Sequence, residues 1–269
     1  MTEKESNPNF CGYFTLVLHS HLPWVLNHGV WPHGTNWVNE AAAETYIPII
    51  RECFKLIKEG YKPYLTIDIT PVLCEMLVDP KFVDGFISYC EGKIHGAKND
   101  LEEFKRMNAD PRQIRMAEFW IEFYQRTIDF FVNDLKKDII RNGFKPLQDQ
   151  GYFDITTCAA THGYAPLLSR ESSIHAQFQV AVKSYERLFG TRPHGTWLAE
   201  CAYRPRYKRK KPVGNDDREY DRPGVETFLS NSGLKYFFID TSLLMGGVSQ
   251  GVYASRFPLL KDLWDRFES

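Results

Sequence analysis

The residues of this sequence best suited to chemistry lie in the tract 195–203, where an apolar, strand-like run ends in a carboxylate, Glu200. Trp197 and Tyr203 flank this carboxylate, and a loop rich in proline and charged residues follows it. A side chain at the carboxyl end of a strand faces a cleft, and the loop behind it can close over a ligand. Clefts that bind sugars pair carboxylates with aromatic faces. Glu200 is therefore predicted to be catalytic, rather than a glutamate that merely ends a strand in water.

Two histidines, His19 and His21, follow the first predicted strand, and strand alternation would place both imidazoles on one side. In one interpretation they bind a metal, as in the metal-dependent amidohydrolases, with His162, His194 and Asp240 as further ligands. In another, neutral imidazoles donate hydrogen bonds to substrate hydroxyls. In a third, the backbone satisfies both rings at the strand end and they have no chemical role. The spacing alone does not decide among the three.

The loop after the first strand is rich in flat side chains: Trp24, Trp31 and Trp37, with His28 and His33. Indole faces stack on the apolar faces of sugar rings, while imidazoles reach hydroxyl groups. Any single tryptophan is as commonly part of a core, but three in one loop are harder to bury together. The loop therefore favours carbohydrate binding.

Two further tracts follow predicted strands. His162 comes after the third strand and lies at the same mouth as His19 and Glu200 if the strands are parallel, with Gly163 allowing a tight turn. The basic run 204–211 directly follows the Glu200 tract and is nearly cancelled by acidic residues behind it. It is predicted to be a solvated loop, and its length up to Arg222 also makes it a candidate lid.

Short apolar runs alternate with segments of helical period, which indicates parallel strands joined by crossover helices. The predicted strands cover residues 13–19, 63–68, 153–157, 194–199 and 236–239, and the predicted helices cover 41–58, 168–189 and 225–231. Each strand ends in polar residues or polar tracts: His19, Asp68, Thr156 with Thr157, Glu200 and Asp240. The fold class is therefore α/β, with a common polar mouth.

A helical insertion interrupts this alternation over residues 97–141, within a subdomain of about 90–150. Its second part opens with Asp110 as N-cap, Pro111 at the first helical position and Gln113 at the third. The predicted apolar face comprises Ile114, Phe119, Phe123, Phe130, Phe131 and Leu135. Five strands are too few to close a barrel, so residues 1–269 are expected to be a barrel that is incomplete at its C-terminus, either a fragment or a shortened relative.

Composition restricts the partners and the compartment. A formal net charge of −1 gives no electrostatic reason to expect nucleic acid or an anionic membrane. The six cysteines lie far apart and show no C-x-x-C spacing, which indicates reduced thiols. No apolar stretch approaches 18 residues, and the polar first ten residues lack the apolar region of a secretory signal. A soluble, cytoplasmic protein is expected.

Five tracts, in this order, closely resemble the α-1,4-glucan branching enzymes of glycoside hydrolase family 57. They are HSHLP at 19–23, WPHG at 31–34, EAAAETY at 40–46, ATHGY at 160–164 and WLAECAY at 197–203. Together they span most of the chain. Several separate motifs in one order are far more specific than any of them alone.

The resemblance implies a (β/α)7-type barrel with a helical insertion, no metal and no cofactor. It implies transfer of an α-1,4-glucan segment to a 6-hydroxyl, with retention of configuration, during glycogen synthesis. Carried over by motif, Glu200 is the nucleophile. The implied substrate-binding residues are His19, His21 and His162 at the donor subsite, Trp31 and Trp37 stacked on the glucan, and Trp197, Tyr203 and Asp240 at the mouth.

Retaining chemistry also needs a second carboxyl group, about 5 to 5.5 Å from the first, to protonate the leaving oxygen. The resemblance places this aspartate on a later strand, after residue 269, so the 269-residue chain is expected to show very low transferase activity. Within the same class, an α-amylase or a 4-α-glucanotransferase stays possible. From other classes, a metal-dependent amidohydrolase or deacetylase and a non-catalytic glucan-binding remnant stay open.

Overall fold

Parallel strands form the frame of the protein, which is represented by a computed structural model that describes residues 12, 14–210 and 219–245. The strands are β1 (Val17–Ser20), β2 (Leu65–Ile69), β3 (Phe153–Thr156), β4 (Gly195–Thr196), β5 (Tyr207–Arg209), β6 (Tyr220–Arg222) and β7 (Tyr236–Phe237). Strands β1, β2 and β3 pair in parallel in that order, and β4 pairs in parallel with β7. A parallel bridge between Thr157 and Thr196 places β4 beside β3. Five parallel strands therefore follow one another in chain order.

The helices are α1 (Thr35–Ala41), α2 (Ile47–Lys58), α3 (Pro71–Leu77), α4 (Pro80–Arg106), α5 (Pro111–Asn133), α6 (Lys145–Asp149), α7 (Glu171–Phe189), α8 (Val225–Asn231) and α9 (Thr241–Met245). Single π-helical turns occur at Ala42–Tyr46 and Ile140–Phe144, and 3₁₀ turns at Ala165–Leu167 and Ala199–Cys201. None of the helices in these described ranges is long and apolar enough to cross a membrane.

All five predicted strands are found near their predicted positions, and all five are shorter than predicted. The first begins at Val17 rather than at residue 13, which itself lies outside the described part, and the fourth is reduced to Gly195 and Thr196. The ring of Tyr236 packs directly against the backbone at Gly195. Any other residue would clash there, because a Cβ added to that glycine would lie 2.1 Å from the ring. The Tyr236 hydroxyl reaches across to Asp154 on β3 and so ties three neighbouring strands together.

The helix predicted at 41–58 begins earlier, at Thr35, and is divided by a π turn before α2. Pro48 lies in the first turn of α2. Proline has no N–H, so the α-helical hydrogen bond to the carbonyl of Glu44 cannot form, and the backbone widens just before it. Pro48 therefore starts the main body of this helix.

The helical insertion is larger than predicted, because all residues between β2 and β3 that have regular structure are helical. Helix α4 begins at Pro80, where Asp79 caps the helix by accepting from the N–H of Lys81 at 2.8 Å. Asp110 caps α5 in the same way, as predicted. The predicted apolar face of α5 was partly wrong: Phe119 is 45% exposed, and the buried residues are Ala117, Tyr124, Thr127 and Phe131.

The prediction of a solvated loop at 204–211 was partly wrong: most of its described residues are exposed, but Tyr207–Arg209 form strand β5, which pairs antiparallel with β6 in a hairpin. Residues 211–218 lie outside the described part. Arg209 is 9% exposed and Arg222 is 1% exposed. Both guanidinium groups donate to the carbonyl of Leu168, at 2.9 and 2.6 Å, so the hairpin is fixed to the loop that follows the third strand.

Two hydrophobic clusters support the strands. The larger lies under β1 to β3 and extends into the insertion, where Phe82, Phe86 and Phe131 pack ring against ring. The smaller is formed by α7, α8 and the segments around β3 and β4. The cysteines at 53, 74, 90, 158 and 201 are free thiols, and Cys11 lies outside the described residues. The coarse α/β prediction is thus confirmed, while closure into a barrel is not seen among the described strands.

Candidate active site

The floor of the candidate site is a row of polar side chains across three parallel strands. The strand register places His19 opposite Asp68, and Asp68 opposite Thr156. The Nδ1–H of His19 donates to Oδ2 of Asp68 at 2.7 Å, and the Thr156 hydroxyl donates to Oδ1 at 3.2 Å. Asp68 therefore fixes the imidazole of His19 with its Nδ1 side toward the sheet.

Asp68 and Thr156 were predicted as polar strand ends but not as residues of the site. The side chain of Asp68 is completely buried. Burial raises the pKa of its carboxyl group to about 6. Three groups oppose this rise: His19, through its hydrogen bond and its charge, the Thr156 hydroxyl, and the backbone N–H of Trp197. A signal was present in the sequence, because His19, Asp68 and Thr156 each end a strand of the same parallel sheet.

Four flat side chains, one of which is His19 of this row, form a stacked column. The ring of His162 lies between those of His21 and His19, with centroid separations of 3.9 and 5.2 Å. His19 in turn stacks on Trp197 at 4.8 Å, with an interplanar angle of 16°. The sequence prediction that His19, His21 and His162 lie at one mouth agrees with this arrangement, which we call the ring column: His21, His162, His19 and Trp197.

Burial and mutual proximity keep part of the ring column uncharged. The pKa of His21 is lowered to about 4, first by burial and then by the nearby imidazoles of His162 and His19. Burial also lowers the pKa of His162, as does His19. His21 shares a hydrogen bond of 3.1 Å with the Thr70 hydroxyl. At neutral pH, His21 therefore presents a neutral imidazole that can donate or accept a hydrogen bond.

Two polar atoms of the ring column have no hydrogen-bond partner within the described chain. They are Nε2 of His162 and the indole Nε1 of Trp197, and both are buried. An unpaired buried polar atom is unfavourable, and a ligand group that supplies the missing partner relieves that penalty. The ring column thus has unused hydrogen-bonding capacity, which a ligand reaches only if neighbouring side chains move.

Glu200 lies in the 3₁₀ turn that follows β4 after two intervening residues, and it is exposed. Its backbone is left-handed, with φ of 57° and ψ of 30°, and the next residue, Cys201, has φ of 54°. His162 also has a positive φ, 56°. Such backbone conformations are unfavourable for side-chain-bearing residues and concentrate at functional sites. The Glu200 charge raises the pKa of His162 against the lowering effects of burial and His19, so the two groups lie within range of electrostatic interaction.

The remaining predicted site residues are more dispersed. Trp31 is 80% exposed, and Trp37 is 39% exposed with its ring against His33. Tyr203 packs on Phe237 beside the smaller hydrophobic cluster instead of joining the ring column. Asp240 is exposed beyond β7, and its charge acts on Cys201 next to Glu200.

The geometry does not fit the ligand set that the metal hypothesis required. His194 precedes β4 and so lies at the opposite end of the strand from Glu200. His19, His21 and His162 are stacked face to face, instead of directing nitrogen atoms at a common point. Within the part of the chain that the structure describes, no group of three or more histidine, cysteine, aspartate or glutamate residues is arranged to hold a metal ion.

Residues 15–261 match the family model of glycosyl hydrolase family 57. The chain belongs to glycosyl hydrolase family 57. It is 41% identical over 242 residues to the 1,4-alpha-glucan branching enzyme of Thermococcus kodakarensis, an alignment that covers 90% of this chain. Among solved structures, it superimposes with a TM-score of 0.80 on a family 57 branching enzyme from that archaeon in complex with glucose, at 40% identity over 90% of this chain.

Another family 57 relationship lies outside the branching enzymes. The alpha-amylase AmyC of Thermotoga maritima superimposes with a TM-score of 0.71, at 29% identity over 89% of this chain. In each of these comparisons the chain spans well under half of the relative: 34% of the Thermococcus protein by sequence, and 42% of each solved chain.

Proposed function

We propose that this chain carries the nucleophile and the donor-binding surface of a 1,4-α-glucan branching enzyme. The observation that carries the proposal is the position of Glu200, four residues beyond β4, relative to the ring column of His21, His162, His19 and Trp197: it follows Trp197 by three residues and acts electrostatically on His162. The 41% identity to a branching enzyme supports this substrate class, α-1,4-glucan. We further infer a cytoplasmic protein, in which residues 1–269 form part of a (β/α)7-type barrel with a helical insertion.

In this proposal Glu200 attacks the anomeric carbon of the donor glucan. A bond forms between a carboxylate oxygen and that carbon, while the α-1,4 bond breaks and its oxygen leaves with a proton from a general acid. The 6-hydroxyl of an acceptor then attacks the glycosyl-enzyme intermediate, loses its proton to the conjugate base and forms an α-1,6 bond. Two inversions at the same carbon give retention of configuration.

The ring column would bind the donor sugar. Its neutral imidazoles and the indole N–H are suited to hydroxyl groups, which both donate and accept hydrogen bonds. Asp68 holds Nδ1 of His19, so the other ring nitrogen of His19 is directed away from the sheet. We also infer that Trp31 and Trp37 stack on the glucan chain, and that Tyr203 and Asp240 border the mouth.

A second candidate is hydrolysis or disproportionation of the same glucan. The likeness to AmyC, an alpha-amylase, favours an α-amylase as that alternative, and a 4-α-glucanotransferase would use Glu200 in the same way. Product analysis after incubation with amylose separates these activities. New α-1,6 linkages indicate branching, new reducing ends indicate hydrolysis, and linear chains of altered length indicate disproportionation.

A maltosyl α-fluoride donor tests the proposed nucleophile directly, because fluoride leaves without protonation and the result does not depend on a general acid. We expect the 269-residue chain to release fluoride and to form a covalent adduct at Glu200 that mass spectrometry detects. Glu200→Gln should bind maltooligosaccharides but release no fluoride. Glu91→Gln, an exposed carboxylate on α4, is the matched control and should behave as the wild type.

Two results would contradict the proposal. Fluoride release by Glu200→Gln at the wild-type rate would exclude Glu200 as nucleophile. If the chain binds maltooligosaccharides but neither wild type nor variant forms an adduct, the chain is a glucan-binding remnant rather than the reactive part of an enzyme.

A further inference from the structure

A groove of about 650 Å³ lies on the helical insertion, outside the site described above. Helix α1 and the π turn after it form one side, and α4 and α5 form the other. Its volume is within the range of small-molecule sites. The side chains that determine its chemistry are Glu40, Glu44, Lys93, Asp100, Trp120 and Tyr124.

The charges of the groove select against anions. Three carboxylates, those of Glu40, Glu44 and Asp100, face one ammonium group, that of Lys93. A phosphate or carboxylate ligand would be repelled. Hydroxyl groups, in contrast, donate to carboxylates, and charge-assisted hydrogen bonds are the stronger ones. The charges therefore disfavour an anion and are compatible with a neutral ligand rich in hydroxyl groups, as they are with a cation.

The aromatic lining favours a ligand with apolar faces as well. Trp120 and Tyr124 line the groove together with Phe104 and Met116. Trp120 is partly buried, and its ring packs near that of Tyr124, so it forms a fixed rather than a freely rotating surface. Aromatic faces beside carboxylates are the combination that binds sugar rings.

The groove also has unused hydrogen-bonding capacity at its edge. The Tyr124 hydroxyl donates to Oε1 of Glu44 at 2.6 Å, which leaves the second oxygen of that carboxylate available. Tyr89 lies behind this edge, next to Glu40, Glu44 and Tyr124, and its buried hydroxyl does not line the groove.

Helix α1, which contributes Glu40 to the groove, directly follows the tryptophan-rich loop in the chain and itself carries Trp37. Trp37 and Glu40 are three residues apart and so lie on the same side of this helix, and Glu44 follows four residues later. At 1.5 Å per residue, Trp37 and Glu44 are about 10 Å apart along the axis. The loop itself follows β1, which carries His19 at its end.

We propose that this groove is a secondary binding site for a distal segment of an α-glucan chain, whose near end occupies the mouth at Glu200. The inference rests on the proposed function, since it takes its ligand from the same substrate class. It predicts that long glucans bind more tightly than short ones, because only long chains reach both surfaces.

Two glycines allow the groove to be filled without damage to the helix. Gly92 and Gly96 are exposed on α4 and line the groove, and a Cβ added at either would meet no atom within 4 Å. Leucine is a good helix former, so Gly92→Leu and Gly96→Leu should fold at least as stably as the wild type. Gly85→Leu is the matched control, because Gly85 lies on the same helix with the same free space but outside the groove.

Calorimetry measures the affinity of the wild type and of each variant for maltotriose and for a long linear amylose fragment. Fluoride release from a maltosyl fluoride is measured for the same proteins. We expect Gly92→Leu and Gly96→Leu to bind the long glucan about tenfold more weakly. Their maltotriose affinity and fluoride release should equal those of the wild type, and Gly85→Leu should match the wild type in every measurement.

The outcomes separate this inference from the proposed function. If both groove variants bind the long glucan as the wild type does while fluoride release persists, the groove is not a glucan site and the proposed function stands. If the wild type neither binds glucan nor releases fluoride, the proposed function itself is wrong.

Discussion

Replacing Asp68 by asparagine tests whether the buried carboxylate serves the site at the expense of stability. The side chain is completely buried, and the pKa of its carboxyl group is raised from 3.8 to about 6 although His19 donates a hydrogen bond to it. That difference corresponds to about 3 kcal/mol, at about 1.36 kcal/mol for each pKa unit. A raised carboxyl pKa means that this stability is present below pH 3.8 and is lost as the pH rises through about 6.

Asparagine resembles the protonated acid in shape and cannot ionise, so the variant avoids this loss. We expect Asp68→Asn to be more stable than the wild type at pH 8, by up to about 3 kcal/mol, and by clearly less at pH 5. Fluoride release from a maltosyl fluoride should nevertheless fall, because the hydrogen bond to His19 loses its charge and the imidazole is held less firmly.

The free energy of unfolding is measured in urea at pH 5 and pH 8, with Asp84→Asn, an exposed aspartate on α4, as control. The control should differ little from the wild type at either pH. A variant less stable than the wild type by the same amount at both pH values would refute the reasoning, since it would show that the buried carboxylate is a net stabilising group.

Two further substitutions test other parts of the site. The pKa of His21 is lowered to about 4, so its neutral form stabilises the fold above pH 6.5 and that stability is lost as the pH falls toward 4. Because the ring is only half-buried, we expect a loss of about 1 to 2 kcal/mol over this range in urea unfolding, and a smaller loss in His21→Gln. Arg222→Leu removes the buried donor to the carbonyl of Leu168 and should lower the free energy of unfolding by about 2 to 4 kcal/mol. Arg206→Leu removes an exposed ion pair with Asp221 and should lower it by less than about 1 kcal/mol. Thermal unfolding measures both variants, and equal shifts of their melting temperatures would contradict this expectation.

The positions of the parallel strands could be predicted because short apolar runs between segments of helical period are a local signal. The role of Asp68 could not be read in the same way. It depends on the register between strands that lie 49 residues apart, which places His19 beside it. Once the strands are taken as parallel, however, polar residues at their ends must form a row, and this inference was available from the sequence.

The β5–β6 hairpin and the start of the helical insertion were not predicted, for different reasons. Arg209 and Arg222 are buried only because the loop after the third strand offers carbonyl groups to them, and no local pattern reveals that contact. The start of α4, in contrast, carries the same Asp-Pro capping signal at Asp79 and Pro80 that correctly identified α5. That boundary was missed although its local signal was present.

The ring column shows how the strand register shapes the chemistry of the mouth. Stacked imidazoles separated by 3.9 and 5.2 Å repel one another when charged, and burial disfavours their protonation further. The carboxylate that contacts the ring column, Asp68, accepts a hydrogen bond from His19 and so fixes the end of the ring column next to Trp197. The other end, at His21, stays neutral. A mouth lined by a fixed imidazole at one end and a neutral imidazole at the other suits a ligand of hydroxyl groups.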